Sequence, residues 1–370
     1  RPLACGDEKD AYVFRPVKAK LPTVEGSTVK QVRFTNDFVT PHVKWAKPFA
    51  GGTIRVLGIM NAFTARELLE LAERLDMDCE AVIFPSPHGV MPDYSPNYTE
   101  KDANNVMAEL LKKDYDVILV GGVNGRCFSA GNIKTIGQKV RDGAGLVHVF
   151  PTCLTNELAE IIPLKSPRKS KAAAAGEWQV AQAHPVTAGI PFDALPPAGA
   201  FMFECASPIL TAGGRPLAAA AQIEKGRSIA FGYAVAFQEL IDKDHMRNFK
   251  AGLTPTHPGG RGAETGLMYP YWEYHYALLA KAVIWAAGKT PVTQIGAIEL
   301  KEQRCNVSIM PPCSRNMNLE WELKDNEWSS ITNGTLGLEA NQSAAEISLP
   351  KHNGTALLHL RLMDDGKVTD

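Results

Sequence analysis

The stretch that decides the fold reads Gly143-Ala-Gly-Leu-Val-His-Val-Phe-Pro-Thr-Cys153. An apolar run of this length that ends at Pro151 predicts a buried strand followed by a sharp turn. The amphipathic run Asn156–Ile161 after the turn predicts a helix. Because α/β enzymes often hold an exposed nucleophile at a strand-to-helix turn, Cys153 is the first candidate catalytic residue.

Strands and helices alternate along the chain before this turn. Four apolar runs predict buried strands, at residues 54–60, 80–84, 116–120 and 145–150, and amphipathic runs between them predict helices. This order is typical of a parallel sheet with helices on both faces, a three-layer α/β sandwich. Ligands of such sheets bind beyond the carboxyl ends of the strands. The residues at those ends are Asn61, Gly121, Gly122, Asn124 and Cys153.

The character of the sequence changes twice, which predicts three segments. Residues 1–50 are rich in proline, and we expect an extended N-terminal arm whose end packs on the next domain. Residues 51–290 form the α/β domain. Residues 291–370 carry short strand patterns between turn signals such as Asn333-Gly334, which predicts an all-β sandwich of immunoglobulin-like architecture. Since the sequence stops in a strand-like stretch, we expect a truncated sandwich within a longer protein.

The bulk composition excludes several classes of protein. A chain of 370 residues with 45% hydrophobic and 21% charged residues is expected to form two or three globular domains. The formal net charge of −1 provides no field that would attract nucleic acid. No apolar run approaches the roughly 18 residues that a membrane helix needs. We therefore predict neither a nucleic-acid partner nor a membrane span.

The cysteines and histidines do not indicate a metal centre. None of the seven cysteines belongs to a Cys-x-x-Cys pair, and no pair among the loop histidines has ligand spacing. We predict no metal and no cofactor. Cys305 and Cys313 could form a local disulfide in an oxidising compartment, but free, partly buried thiols are the interpretation we favour.

Four stretches resemble the class I glutamine amidotransferase-like superfamily, and within it the trehalose-utilisation-like and β-galactosidase-associated members. They are residues 117–122, 143–153, 184–190 and 270–279. The resemblance covers about residues 53–289 and implies a flavodoxin-like fold. It also implies a carbohydrate-processing, extracytoplasmic setting, secreted or periplasmic, with a small molecule or sugar as ligand and the downstream domains of a longer chain as partners.

Active members of that superfamily carry a cysteine in a Gly-x-Cys-x-Gly turn and a histidine in a His-Pro-Glu sequence. By this resemblance, Cys153 takes the position of the nucleophile, and the backbone amides of Gly122 and Leu154 take the positions that stabilise the oxyanion. Each part is needed, because the thiol requires a base or a low pKa and the tetrahedral intermediate requires paired N–H donors.

The chain departs from this pattern at both the nucleophile and the base. Pro151 and Thr155 replace the two glycines of the turn, and a β-branched residue suits a strained turn poorly. The strand that should deliver the histidine continues through Tyr233 and contains no histidine. We therefore predict a pseudoenzyme in which Cys153 is inactive, serving as a module for ligand binding or scaffolding in a larger protein.

The stretch Tyr271-Trp-Glu-Tyr-His-Tyr276 offers an alternative base. Glu273 or His275 at a pocket edge could make Cys153 the nucleophile of a hydrolase or amidotransferase with a non-standard base. These aromatic residues could instead pack the helix onto the sheet, with Glu273 favouring the helix N-terminus. A third hypothesis makes the sheet domain an oligomerisation module within a homo-oligomer. The pocket candidates are Asn61, Asn124, Tyr233, Glu273 and His275.

Overall fold

A computed structural model describes most of the chain from residue 44 onward. The described residues are 44–61, 65–85, 99–121, 123–151, 154–165, 172–195, 198–201, 203–232, 236–242, 245–250, 272–325, 329–353 and 356–370. The predicted N-terminal arm therefore lies outside the described residues except for its last part.

An eight-stranded mixed sheet forms the centre of the first domain. The strands of this domain are β1 (Ile54–Asn61), β2 (Met77–Phe84), β3 (Val117–Gly121), β4 (Gly145–Val149), β5 (Ala172–Gly176), β6 (Trp178–Val180), β7 (Ala198–Phe201), β8 (Pro208–Ala212), β9 (Arg215–Ile223), β10 (Gly226–Phe231), β11 (Ala236–Asp242) and β12 (His245–Lys250). Five of them run parallel in the order β2-β1-β3-β4-β10, and β9, β8 and β6 extend the sheet antiparallel. Two separate two-stranded antiparallel sheets pair β5 with β7 and β11 with β12.

Helices cover both faces of this sheet. They are α1 (Ala65–Arg74), α2 (Glu100–Leu110), α3 (Ala130–Asp142), α4 (Asn156–Ile161) and α5 (Trp272–Ala286). A Cβ added at Gly226 would lie 2.0 Å from the Val140 carbonyl oxygen of α3. The next residue, Arg227, donates to the Trp285 carbonyl of α5. Because successive strand residues point to opposite faces, α3 and α5 lie on opposite sides of the sheet. Within the described ranges, none of the helices has the length and apolar character that a membrane crossing requires.

The sheet differs from the parallel sheet that the sequence predicted. β9 and β10 form an antiparallel hairpin around Glu224 and Lys225. A connection of two residues can only return the chain antiparallel, because a parallel crossover needs a dozen or more residues. Strands and helices no longer alternate after α4. Among the described strands of the sheet that follow α4, only β10 pairs with a neighbour in parallel.

The chain after Thr290 folds into two antiparallel sheets, as predicted for an all-β domain. Its strands are β13 (Gln294–Lys301), β14 (Arg304–Met310), β15 (Met317–Lys324), β16 (Ser330–Leu338), β17 (Ala344–Ser348), β18 (Leu357–Asp364) and β19 (Lys367–Val368). One sheet has the order β13-β14-β17 and the other β16-β15-β18-β19. Buried side chains from both sheets, among them Val307 and Leu319, share one apolar cluster.

Cys305 and Cys313 belong to this cluster as free thiols, and burial raises the pKa of each.

The segment that precedes β1 joins the two domains. The amides of Trp45 and Ala46 donate to the Arg74 carbonyl at the end of α1. The Ala50 amide donates to the Val368 carbonyl at 2.8 Å, and the Val368 amide donates to the Pro48 carbonyl at 2.9 Å. Ala46 and Phe49 are buried. The end of the predicted arm therefore packs on the α/β domain and also pairs with the last strand of the β domain.

Candidate functional site

The topology brings the carboxyl ends of the central parallel strands to one edge of the sheet. Met60 of β1 pairs with Gly121 of β3, and Gly121 pairs with Val149 of β4. The connections that follow these strands therefore begin side by side, as the sequence predicted. Gly122, Cys153 and Tyr233 lie outside the described residues, as do the side chains of Asn61 and Glu273.

Phe150 carries the backbone strain at the entrance to the Cys153 turn. Its φ is 52°, in the left-handed region that a bulky side chain rarely adopts. Such a conformation costs on the order of 1–3 kcal/mol and persists only where surrounding contacts enforce it. Here the Phe150 amide donates to the Phe231 carbonyl of β10 at 2.8 Å, and its buried ring packs edge-on against Phe203 at 5.9 Å.

Thr155 does not carry the strain that sequence reasoning assigned to it. Its φ of −72° and ψ of 164° are ordinary extended values. Thr155 is the N-cap of α4, and its hydroxyl accepts a hydrogen bond from the Leu158 amide at 3.4 Å. The threonine at this position is thus explained by helix capping, a role in which threonine is favoured. Leu154 is the first described residue after Cys153, and its side chain is half-buried.

Asn124 shapes the connection after β3. Its side-chain oxygen accepts a hydrogen bond from the Arg126 amide at 2.9 Å and caps a one-turn 3₁₀ helix at Gly125–Cys127. Asn104 of α2 holds the far end of this turn by donating to the Cys127 carbonyl at 2.8 Å. The side-chain oxygen of Asn124 thus has a structural role in ordering the loop.

His275 lies inside the protein. It sits in the first turn of α5, is buried, and packs against the Trp178 ring at 5.9 Å between centroids. Burial lowers the pKa of His275 to about 4, because the surrounding apolar groups disfavour the charged imidazolium. An imidazole with this pKa is a weak proton acceptor for a thiol whose ordinary pKa is about 8.5.

Two further histidines of this domain have structural surroundings. His184 accepts a hydrogen bond from the Val186 amide through Nδ1 and packs edge-on against Trp285 at 4.8 Å, which places it in a turn. Burial lowers its pKa. His148 lies in the centre of β4, and burial lowers its pKa to about 3. Among the described residues, the histidine, cysteine and acidic side chains include no group of three that could hold a metal ion.

Sequence reasoning missed a group of polar residues between the two domains. Thr290, His359 and Thr369 line a cavity there. They belong to a linker, a strand and the last residues of the sequence, so no local pattern connects them. Only the packing of the β domain against α5 brings them together.

Comparison with known proteins finds one family model and several weakly similar solved structures. A family model described as a domain of unknown function (DUF7408) matches residues 102–241, less than half of the chain. No curated protein matches the chain. Among solved structures, Cytoplasmic Protein STM1381 from Salmonella typhimurium LT2 is similar with a TM-score of 0.40 and 14% identity, over 63% of this chain and 99% of that one.

A second solved structure gives a comparable result. Cytoplasmic Protein STM3548 from Salmonella typhimurium has a TM-score of 0.40 and 15% identity, over 62% of this chain and 98% of its own. Both proteins are named as cytoplasmic, which contradicts the extracytoplasmic location predicted from the sequence. That prediction was wrong by this finding and is withdrawn.

Proposed function

We propose that residues 51–290 form a flavodoxin-like domain of the class I glutamine amidotransferase-like kind with a non-catalytic Cys153 site. In this proposal the domain binds a ligand or acts as a scaffold within a larger, carbohydrate-processing protein. The parallel order β2-β1-β3-β4-β10 supports the flavodoxin-like assignment, because the order 2-1-3-4-5 is typical of that fold. The two antiparallel sheets support an immunoglobulin-like architecture for residues 291–370.

The observation that carries the non-catalytic part is the burial of His275. A general base works best when its pKa lies near the working pH. With a pKa of about 4, His275 would take a proton from a thiol of ordinary pKa with an equilibrium unfavourable by roughly four powers of ten. Its position against Trp178 supports a packing role in the helix.

The strand next to β4 supports the same conclusion. β10 pairs with β4 in parallel. By the proposed resemblance, β10 takes the place of the strand from which that superfamily delivers its histidine. In this chain β10 ends at Phe231 and is followed by Gly232. Ala230 of β10 pairs with His148, whose imidazole is buried and has a pKa of about 3.

The experiment that tests the proposal measures ammonia release from glutamine at pH 7.5. Wild-type protein and the variant Cys153→Ala are compared with buffer, and hydrolysis of p-nitrophenyl acetate is followed in parallel. We expect both proteins to match the background set by their other nucleophilic side chains. Turnover by the wild type that Cys153→Ala abolishes would show that Cys153 is a working nucleophile.

A further inference from the structure

Four exposed apolar side chains lie on or beside the hairpin of β13 and β14. Val292, just before β13, is 80% exposed, Leu300 is 63%, Met310 is 61% and Ile298 is 53% exposed. They are the most exposed large apolar side chains among the described residues. Since β13 is also the outer strand of its three-stranded sheet, this edge is open to pairing with another strand.

Leu300 and Ile298 point to the core side of their sheet without being covered there. Leu300 pairs with Cys305 and Ile298 with Val307, and both partners are fully buried. Directly opposite residues of an antiparallel pair share one face of the sheet. The core of the β domain therefore covers β14 at this level but does not extend over the end of β13.

The backbone groups of the same two residues point to the outer edge. The two-residue turn Glu302-Gln303 joins β13 to β14. The residues that flank such a turn, Lys301 and Arg304, form a hydrogen-bonded pair, and such pairs alternate with non-hydrogen-bonded pairs along the two strands. Leu300 and Ile298 belong to non-hydrogen-bonded pairs, so their N–H and C=O groups face away from β14.

The first half of β13 has a protected edge. The Ile295 amide donates to the Asp370 carboxylate at 2.8 Å, and side chains that satisfy edge groups in this way block pairing with another chain. Residues 297–301, in contrast, are all exposed. The part of the edge that is open to a partner strand is therefore the second half of β13.

Charge complementarity favours a second copy of this chain as the partner strand. Glu299 and Lys301 lie on the face opposite Leu300, and their charged atoms are 3.6 Å apart. In an antiparallel pairing with its twofold axis at Leu300, Glu299 of each copy lies opposite Lys301 of the other copy. An axis at Glu299 or at Lys301 would place like charges directly opposite each other, which is unfavourable. An axis at Ile298 would bring Lys301 of the second copy against the protected Ile295.

We propose that the protein forms a twofold dimer through antiparallel pairing of residues 298–302 with the same residues of a second copy. The two Leu300 residues exchange both of their backbone hydrogen bonds, and Ile298 lies diagonally next to Leu300 of the second copy on the apolar face. Because the paired segment is short, we expect a weak dimer with a dissociation constant on the order of 10–100 µM. This inference does not rest on the proposed function, since it uses no residue of the α/β domain.

The register is tested by charge reversal and sedimentation velocity at concentrations that bracket this dissociation constant. Lys301→Glu and Glu299→Lys each place like charges opposite each other twice, and each should raise the dissociation constant about tenfold or more. The double variant Glu299→Lys/Lys301→Glu should restore wild-type dimerisation, and an equimolar mixture of the two single variants should form a heterodimer. Lys351→Glu, at an exposed position, matches the net charge of Lys301→Glu and should dimerise like the wild type.

The position of the twofold axis is tested by disulfide cross-linking under mild oxidation, with mass spectrometry of the linked peptide. In the proposed pairing, the Cα atoms at position 300 of the two copies are about 5.5 Å apart, which a disulfide can span. Leu300→Cys should therefore link the two copies through position 300. Ile298→Cys should not link to itself, because the two copies of position 298 are four residues, or about 13 Å, apart along the strands.

Three results would overturn the proposal. The first is a wild-type protein that stays monomeric at the highest concentration, whether the edge is bare or another segment occupies it. The second is a dimer that tolerates both single charge reversals or that the double variant does not restore. The third is cross-linking of Ile298→Cys through position 298 as readily as that of Leu300→Cys through position 300.

Discussion

Nη1 of Arg74 lies 2.6 Å from Oε2 of Glu70, and neither side chain is exposed to solvent. The Arg74 guanidinium also lies 4.5 Å from the centroid of the Tyr276 ring and 5.3 Å from that of Trp45. The ion pair lies within α1. Through its two ring contacts, Arg74 connects α1 with the first turns of α5 and with the segment that joins the two domains. The aromatic faces on the cation add a favourable electrostatic contact.

Removal of one partner of this ion pair should destabilise the protein strongly. Arg74→Met leaves the Glu70 carboxylate buried without its cation, and we expect the free energy of unfolding to fall by about 3–5 kcal/mol. The double variant Glu70→Leu/Arg74→Met should recover a large part of that loss, because no charge remains buried. Urea unfolding of the three proteins measures both effects.

The exposed pair Lys112–Glu109 provides the matched control. Both side chains are mostly exposed, so Lys112→Met should change the free energy of unfolding by no more than about 0.5 kcal/mol. Similar losses for Arg74→Met and Lys112→Met would show that burial of the Arg74–Glu70 pair has no special energetic weight.

His148 should make the protein less stable in mild acid. Burial lowers the pKa of its imidazole from 6.5 to about 3, so between these values the unfolded chain binds a proton that the folded protein does not. The free energy of unfolding therefore falls as the pH falls from about 6.5 toward 3, by up to about 1.4 kcal/mol per pH unit from this residue. Urea unfolding of the variant His148→Met from pH 7.5 to pH 4 should show a shallower decline.

The same variant tests the cost of burying the imidazole. Neither nitrogen of His148 has a hydrogen-bond partner among the described residues. At pH 7.5 we expect His148→Met to be at least as stable as the wild type, because a thioether of similar size removes two unpaired polar atoms. His352→Met, at an exposed position, should follow the pH dependence of the wild type. The prediction would be contradicted if the free energy of unfolding of His148→Met fell with decreasing pH as steeply as that of the wild type.

Gly226 should tolerate no side chain. A Cβ there would lie 2.0 Å from the Val140 carbonyl oxygen and 2.4 Å from that of Ala144, both of which are backbone atoms. Gly226→Ala must therefore separate α3 from β10, and we expect a loss of several kcal/mol in the free energy of unfolding. Gly131→Ala in the first turn of α3 meets nothing within 4 Å and should be neutral or stabilising by up to about 1 kcal/mol. A thermal shift assay separates the two variants, and comparable melting temperatures would be evidence against close packing at Gly226.

The repeating part of the fold could be predicted from the sequence because local patterns determine it. β1 to β4 are short apolar runs separated by amphipathic helices, and this alternation suffices to predict a layered α/β domain. The mixed pairing of β9 could not be predicted from its composition, since strands of either direction are apolar when buried on both faces. Its direction depends on the two-residue turn at Glu224 and Lys225 that leads into β10.

The ends of the central parallel strands could be predicted from the sequence, but the packing of the side chains around them could not. The positions of the strand ends follow from topology, whereas the burial of His275 against Trp178 depends on residues almost one hundred positions apart. Arg74 illustrates the same limit, because a charged residue at a helix end is expected at the surface. Tyr276, whose ring lies against the Arg74 guanidinium, is distant in sequence, so only the tertiary structure reveals that Arg74 is buried.

The most direct test of a non-catalytic Cys153 is its rate of alkylation by iodoacetamide as a function of pH, followed by mass spectrometry of the peptide that contains Cys153. The thiolate is the reacting species, so a thiol without an activating base should lose about tenfold in rate for each pH unit below its pKa. We predict a rate at pH 6 that is about one hundredfold lower than at pH 8. Fast alkylation with the same rate from pH 8 down to pH 6 would show an activated thiolate and contradict the account.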